Sequence, residues 1–215
     1  MNRNQPIASL PKGHQTMVLA HRAMVRDLDR IASSADSLTR SADPARAAAL
    51  RDYSDKIYQV IEHHHEGEDT FLWPRLRELG ADDSALALMV TEHEELTDLL
   101  HAWHQACERL GTDSEAAAEV AKRTVEVRDH LARHTTDEEE ELLGRLAPAL
   151  GDRLWKQYGT HMRKTAPGWT LRFMPAWLAS VAGPEDRGGV PAAPVALLFR
   201  GWLQKTQLAA FGEAS

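Results

Sequence analysis

The chain has a single cysteine, Cys107, in 215 residues. An internal disulfide, a thiolate metal cage and a dithiol redox pair are therefore excluded. Cys107 stands in "WHQACERL", a helical pattern, where a buried structural thiol is expected rather than a nucleophile. Long apolar runs are missing too. Stretches such as Met174 to Gly183 fall well short of the roughly 20 residues that span a bilayer, and "MNRNQPIASLPKG" has no apolar signal core. The expectation is a soluble cytoplasmic protein with no transmembrane segment. Positive charge is scarce in the first 150 residues, which hold 17 Lys+Arg against 28 Asp+Glu. Such a surface repels phosphate, so nucleic acid is not an expected partner. The last 65 residues reverse the balance, 8 against 4. That basic surplus suits docking on the acidic body, on a protein partner or on an anionic lipid surface. Strand patterns are absent from the first 150 residues.

What is there is helical periodicity. A first helix is predicted from about His14 to Leu38. After "SADP", where Ser41 or Asp43 can cap and Pro44 suits a first turn, a second runs to about Leu79, kinked or interrupted by Pro74. Gly80 closes it. "ADDS" opens a third helix from about Asp83 to Leu110, ended by Gly111, and "TDSE" a fourth to about Ala147. Short links between long amphipathic helices force antiparallel neighbours, so the fold class is all-α, an up-down four-helix bundle. The division expected is an N-terminal arm over 1–13, the bundle over 14–150 and an extension over 151–215. The extension holds five of the ten prolines and four of the six tryptophans, with short helices near 151–162, 171–182 and 193–209. So much aromatic surface has to pack on something.

Placed at an offset of 70, "HHEGEDTFLWPRL" (64–76) lies over "HTTDEEEELLGRL" (134–146). His64 falls on His134, Glu68 on Glu138, Asp69 on Glu139, Leu72 on Leu142 and Leu76 on Leu146, and Pro74 meets a second helix breaker, Gly144. In each copy a His and a Glu stand four apart, about 40° round the helix and about 6 Å along it, so both can point at one centre. The odd helices supply partners: His21 lies 43 residues before His64, and His93 lies 41 before His134. Two hairpins reading His, loop, His-x-x-x-Glu bring four imidazoles and two carboxylates into the bundle. One metal ion rarely needs six donors. Two ions bridged by two carboxylates, each with two terminal histidines, use them all. Burying these groups without a metal is expensive, several kcal/mol for each unpaired charge.

The series His21, His64-x-x-x-Glu68, His93, His134-x-x-x-Glu138, with the flanking "ED…LWP.L" text, resembles the hemerythrin-like (HHE) cation-binding domains in order and spacing over residues 14 to 150. The resemblance implies a non-haem di-iron centre with an oxo or hydroxo bridge. His21, His64, His93 and His134 would be terminal ligands, with Glu68 and Glu138 bridging. It implies O2, NO or H2O2 as the small ligand, to be bound, sensed or detoxified, and leaves open whether there is enzymatic turnover. One departure stands out. Oxygen-carrying members have a second His one turn after the third-helix ligand, and here that position is Thr97. The four-His set is more similar to bacterial members associated with NO, peroxide or iron-sulfur cluster repair, although the cysteine-containing domain of the repair proteins is missing. Thr97 is expected to leave an opening for the small ligand.

Around this set, His65 and Asp69 form another i, i+4 pair and His130 stands one turn before His134. These, with Glu139, are expected to orient the ligands or to complete a coordination sphere, His130 being the better choice for the site's edge. The other histidines read as surface, loop or core residues. A ferritin-like carboxylate site needs two Glu-x-x-His motifs, and only Glu62-x-x-His65 is present. Six N/O donors favour iron or manganese, with zinc the chemical rival. An alternative function is a metal- or redox-responsive module that signals to a protein partner through residues 151–215.

Overall fold

The computed structural model describes residues 7–112, 115–143 and 151–212. Among them there is no β-strand. Helix α1 spans Lys12–Arg40, α2 Pro44–Gly67, α3 Trp73–Glu78, α4 Asp83–Glu108 and α5 Ala116–Asp137. The extension forms α6 (Gly151–Thr165), α7 (Thr170–Ala179) and α8 (Ala193–Phe211), with single turns of 3-10 helix at Ile7–Ser9 and Asp186–Gly189. The all-α bundle with extra C-terminal helices is thus present. The predicted end of the fourth helix near Ala147, the breaker Gly144 and the first six residues of the N-terminal arm lie outside the described residues.

Local chemistry sets the ends. Asp43, not Ser41, caps α2, its carboxylate accepting the Arg46 N–H at 3.0 Å with Pro44 behind it in the first turn. Asp82 caps α4 through the Ser84 N–H at 2.8 Å. The α3–α4 and α4–α5 links turn at Gly80 and Gly111, with φ of 85° and 84°, a region that favours glycine.

Near Pro74 the second helix is interrupted as expected, by a wider turn and not by a loop. The helix passes directly from α2 into a π-helical segment, Glu68–Leu72, and then into α3. The Trp73 N–H reaches back five residues to the Glu68 carbonyl. Proline lacks the N–H that would continue the ladder and crowds the carbonyl four residues back, and the wider turn relieves both. The second copy of the repeat does the same at Glu138–Leu143. Both π segments start on the repeat's glutamate.

In the bundle α1 packs on α5 and α2, and α4 on α5 and α2. The extension closes over it in cis. Phe173, Trp177, Leu203 and Phe211 join the same apolar core as Leu28, Ile57 and Trp103. Asp27, fully buried, accepts hydrogen bonds from Tyr53 Oη at 2.5 Å and Trp177 Nε1 at 2.7 Å, tying α7 to α1 and α2. At the other end α6 lies against α1 and α2. A Cβ on Gly13 would stand 2.5 Å from Trp155 Cβ, and one on Gly67 2.2 Å from Met162 Sδ, so both glycines are places where α6 comes too close for a side chain.

Candidate metal centre

Helices α1, α2, α4 and α5 each send histidine inward at one level of the bundle. His21 and His64 face each other, Nε2 to Nε2, at 3.0 Å. His93 and His134 do the same at 3.1 Å. Glu68 and Glu138, at the α-to-π transitions, are fully buried beside them. Glu68 Oε1 lies 3.0 Å from His64 Nε2, and Glu138 Oε2 lies 3.3 Å from His21 Nε2. Neither carboxylate has a hydrogen-bond partner among the described residues. The approaches are close, but the imidazole N–H directions do not serve them.

The outer nitrogens explain why. His21 Nδ1 donates to Glu139 at 2.7 Å, His93 Nδ1 to Asp69 at 2.8 Å, and His134 Nδ1 to Glu92 at 2.9 Å. A proton held on Nδ1 leaves the Nε2 lone pair pointing inward. Between His93 and His134, where carboxylates hold both Nδ1 atoms, two lone pairs face each other at 3.1 Å and repel unless a cation stands between them, and the buried carboxylates add negative charge to the same space. The residues present therefore fit a metal centre. Ligand atoms of His21, His64, Glu68 and Glu138 lie within 4.8 Å of one another, as do those of His65, Glu68, His93 and His134, and Glu68 is shared.

Electrostatics tell the same story. Burial holds His64 well below the usual imidazole value, helped by the neighbouring His21, and brings His134 down to about 4 against the opposing Glu92 bond. Burial pushes Glu68 well above the carboxylate range, and the facing Glu138 adds to it. Glu138 is raised by burial too, although His21 opposes this. His21 is the exception: burial would lower it, but Glu138 and Glu139 together raise it. Neutral imidazoles are what a metal takes up, and a cation between the glutamates would reverse their shift.

The candidates at the rim divide. Asp69 and Glu139 stand behind His93 and His21. His65 turns into the site. His130, expected at its edge, does not: Nε2 donates to the Glu92 carbonyl at 2.9 Å and Nδ1 accepts from Arg133 at 2.9 Å, so no lone pair remains for a metal. Thr97 is corrected as well. It is exposed, on the solvent side of the buried Leu96 and Leu100, and its hydroxyl bonds back to the His93 carbonyl at 2.8 Å. It lines no opening. Glu62, the start of the ferritin-like motif, is exposed and bonded to Tyr58.

The match between this chain and the sequence model of the hemerythrin HHE cation binding domain runs over residues 12–163. The chain belongs to that family. No curated protein and no solved structure matches it. In this hemerythrin-like chain the match reaches beyond the four bundle helices into α6, and α6 supplies groups that sequence reasoning missed. Tyr158 is buried, with an unpartnered hydroxyl, and its ring packs 6.1 Å from that of Phe71 in the π segment. Burial, with Glu68 and Glu138 nearby, pushes its phenol well above the usual value, so it remains a donor. His14 is fully buried, stacked on Trp155 at 5.6 Å, with both ring nitrogens unpartnered. Glu92 was also missed. Its only sequence signal is adjacency to His93, and the repeat gives it no counterpart.

Cys107 is buried in the apolar core, and burial pushes its thiol up to about 12, which fits a structural role. No helix among the described residues is long and apolar enough to cross a membrane.

Proposed function

We propose that the protein is a non-haem di-iron protein that binds, senses or detoxifies a small oxidant or gas: O2, NO or H2O2. His21 and His64 hold one iron, His93 and His134 the other, with Glu68 and Glu138 shared between them. Manganese or zinc could occupy the same donors. The observation that carries this reading is the pair of facing Nε2–Nε2 contacts, with the Nδ1 atoms of His21, His93 and His134 fixed by carboxylates. When bound, iron in such a set supplies reversible ferrous–ferric chemistry and a position for a small ligand.

The chain's own residues set the conditions. Asp69, Glu92 and Glu139 hold the Nδ1 protons and so the orientation of three imidazoles. Trp73, Trp155 and Tyr158 form part of a separate apolar cluster that excludes water from the site. Beneath α6, the Tyr158 hydroxyl and the His14 nitrogens are among the buried polar groups left without a partner, together with the Trp73 and Trp155 indole N–H groups, and we assign Tyr158 and His14 to meet the incoming molecule. Tyr158 offers a proton at Oη and His14 a neutral imidazole, its value brought down to about 4 by burial. Residues 14–150 form the metal-bearing unit in this reading, and 151–215 its cover.

Signalling to a partner through the extension is the weaker alternative. Trp177, Phe173 and Phe211 are buried against the bundle, which favours a lid or brace over a free docking arm.

The test is made on protein purified without oxygen, with absorption spectra recorded as air, NO and peroxide are admitted in turn. A stable change with one gas identifies a carrier or sensor of it, and catalytic loss of peroxide or NO identifies an enzyme. A spectrum silent to all three would overturn the proposal.

A further inference from the structure

Six donors account for the repeat, yet a seventh group reaches the centre. His65 has no counterpart in the other half of the chain, where the offset of 70 brings Thr135, whose hydroxyl faces the Ala132 carbonyl of its own helix. His65 is buried, and its Nδ1 donates to the Ile61 carbonyl at 2.8 Å. That bond places the ring's proton on Nδ1 and leaves the Nε2 lone pair free. Nε2 is buried without a partner. It is directed at the half of the centre that already holds His93 and His134, whose rings lie 4.5 and 5.2 Å away. Its ligand atom falls within 4.8 Å of those of Glu68, His93 and His134.

Resting on the di-iron reading above, we infer that His65 is a ligand: a third imidazole on the metal held by His93 and His134, supplied from α2. The position one turn after His93, where oxygen carriers have a further histidine, is the exposed Thr97. His65 delivers the missing donor from the neighbouring helix. The alternative, a core histidine filling space, leaves a buried nitrogen unpaired, a desolvation penalty that phenylalanine would avoid.

The consequence is a centre with unequal halves. The His93–His134 metal gains a third nitrogen donor, whereas the His21–His64 metal has two nitrogens and the shared carboxylates. The small molecule is thereby directed to the poorer half. His14 couples electrostatically to His21 and Glu139, on that same side.

The test counts ligated histidines in the unaltered chain. In the di-ferrous protein, each imidazole bound to iron through Nε2 gives one strongly hyperfine-shifted ring N–H resonance that disappears in D2O. Histidine labelled with 15N assigns these signals to imidazole. Five signals support the inference, and His65→Phe should remove one of them and leave the other four. Four signals in the unaltered chain would overturn it while leaving the di-iron reading intact. So would five signals that all survive His65→Phe. A chain with no shifted resonance in the presence of ferrous iron would remove the centre and the ligand assignment together. A second readout is retention of metal against a chelator: His65→Phe should lose one of its two ions at least ten-fold faster than the other. A structural histidine predicts no such split.

Discussion

Asp27 and Glu68 are both fully buried carboxylates on helices of one bundle, and they differ in how their surroundings complete them. Asp27 is served by Tyr53, by Trp177 and by the Arg26 guanidinium at 2.7 Å. Glu68 approaches imidazole nitrogens closely and is served by none of them. The first cluster is finished by protein atoms, and its role is to fasten the extension to α1 and α2. The second leaves lone pairs directed at a common space and needs a cation to complete it. Burial alone does not separate a brace from a site here. Hydrogen-bond completion does.

Substitutions at the two clusters should therefore fail in different ways. The largest effect is expected from Glu68→Ala, which removes the donor common to both groups of ligands. Bound metal should fall to a small fraction of one ion per chain while far-ultraviolet circular dichroism stays helical. Metal content near the unaltered level would break the comparison.

Asp27→Ala should act the other way. It strands the Trp177 N–H and Tyr53 hydroxyl in the core and should cost about 3 kcal/mol in a denaturant titration, with metal per folded chain unchanged. His14→Phe sharpens the contrast with pH. The native value of His14, about 4, lies below the ordinary 6.5. Between these values the unfolded chain binds a proton that the native chain refuses, so stability is lost as pH falls through that window. Phenylalanine should abolish His14's share of the loss, on the order of 3 kcal/mol at the acid end, seen as a smaller drop in denaturation midpoint from about pH 7 to about pH 4.

Smaller effects follow at the outer nitrogens. Asp69→Asn and Glu139→Gln should each weaken metal binding by about 10–100-fold, since they loosen an imidazole without removing it. At the bottom of the scale, Thr97→Ala should leave metal content and spectra unchanged, with stability altered by no more than about 0.5 kcal/mol.

The inward cluster of the proposed donors could be read from the sequence because its members obey helix arithmetic. A His and a Glu four apart share a face, and the same words at an offset of 70 mark two equivalent helices. Helix order followed from short links and from caps such as Asp43. What could not be read depends on contacts between elements. Thr97 has the same i, i+4 relation to His93 as Glu68 has to His64, yet α4 presents Leu96 and Leu100 inward and turns Thr97 to solvent. His130 is ruled out by which of its nitrogens Arg133 and the Glu92 carbonyl occupy, a tautomer question that spacing cannot reach. Tyr158 and His14 carry no motif. They matter because α6 folds back onto Gly13 and Gly67, and neither the close approach nor its direction is encoded in periodicity.

The measurement that bears most directly on the central claim is metal per chain in protein prepared without oxygen, followed by Mössbauer spectroscopy after loading with 57Fe. The account predicts two irons per chain, becoming a spin-coupled ferric pair on exposure to air. A single tightly held zinc, or a folded chain that takes up no metal, would contradict it and make the inward histidines an unsatisfied core.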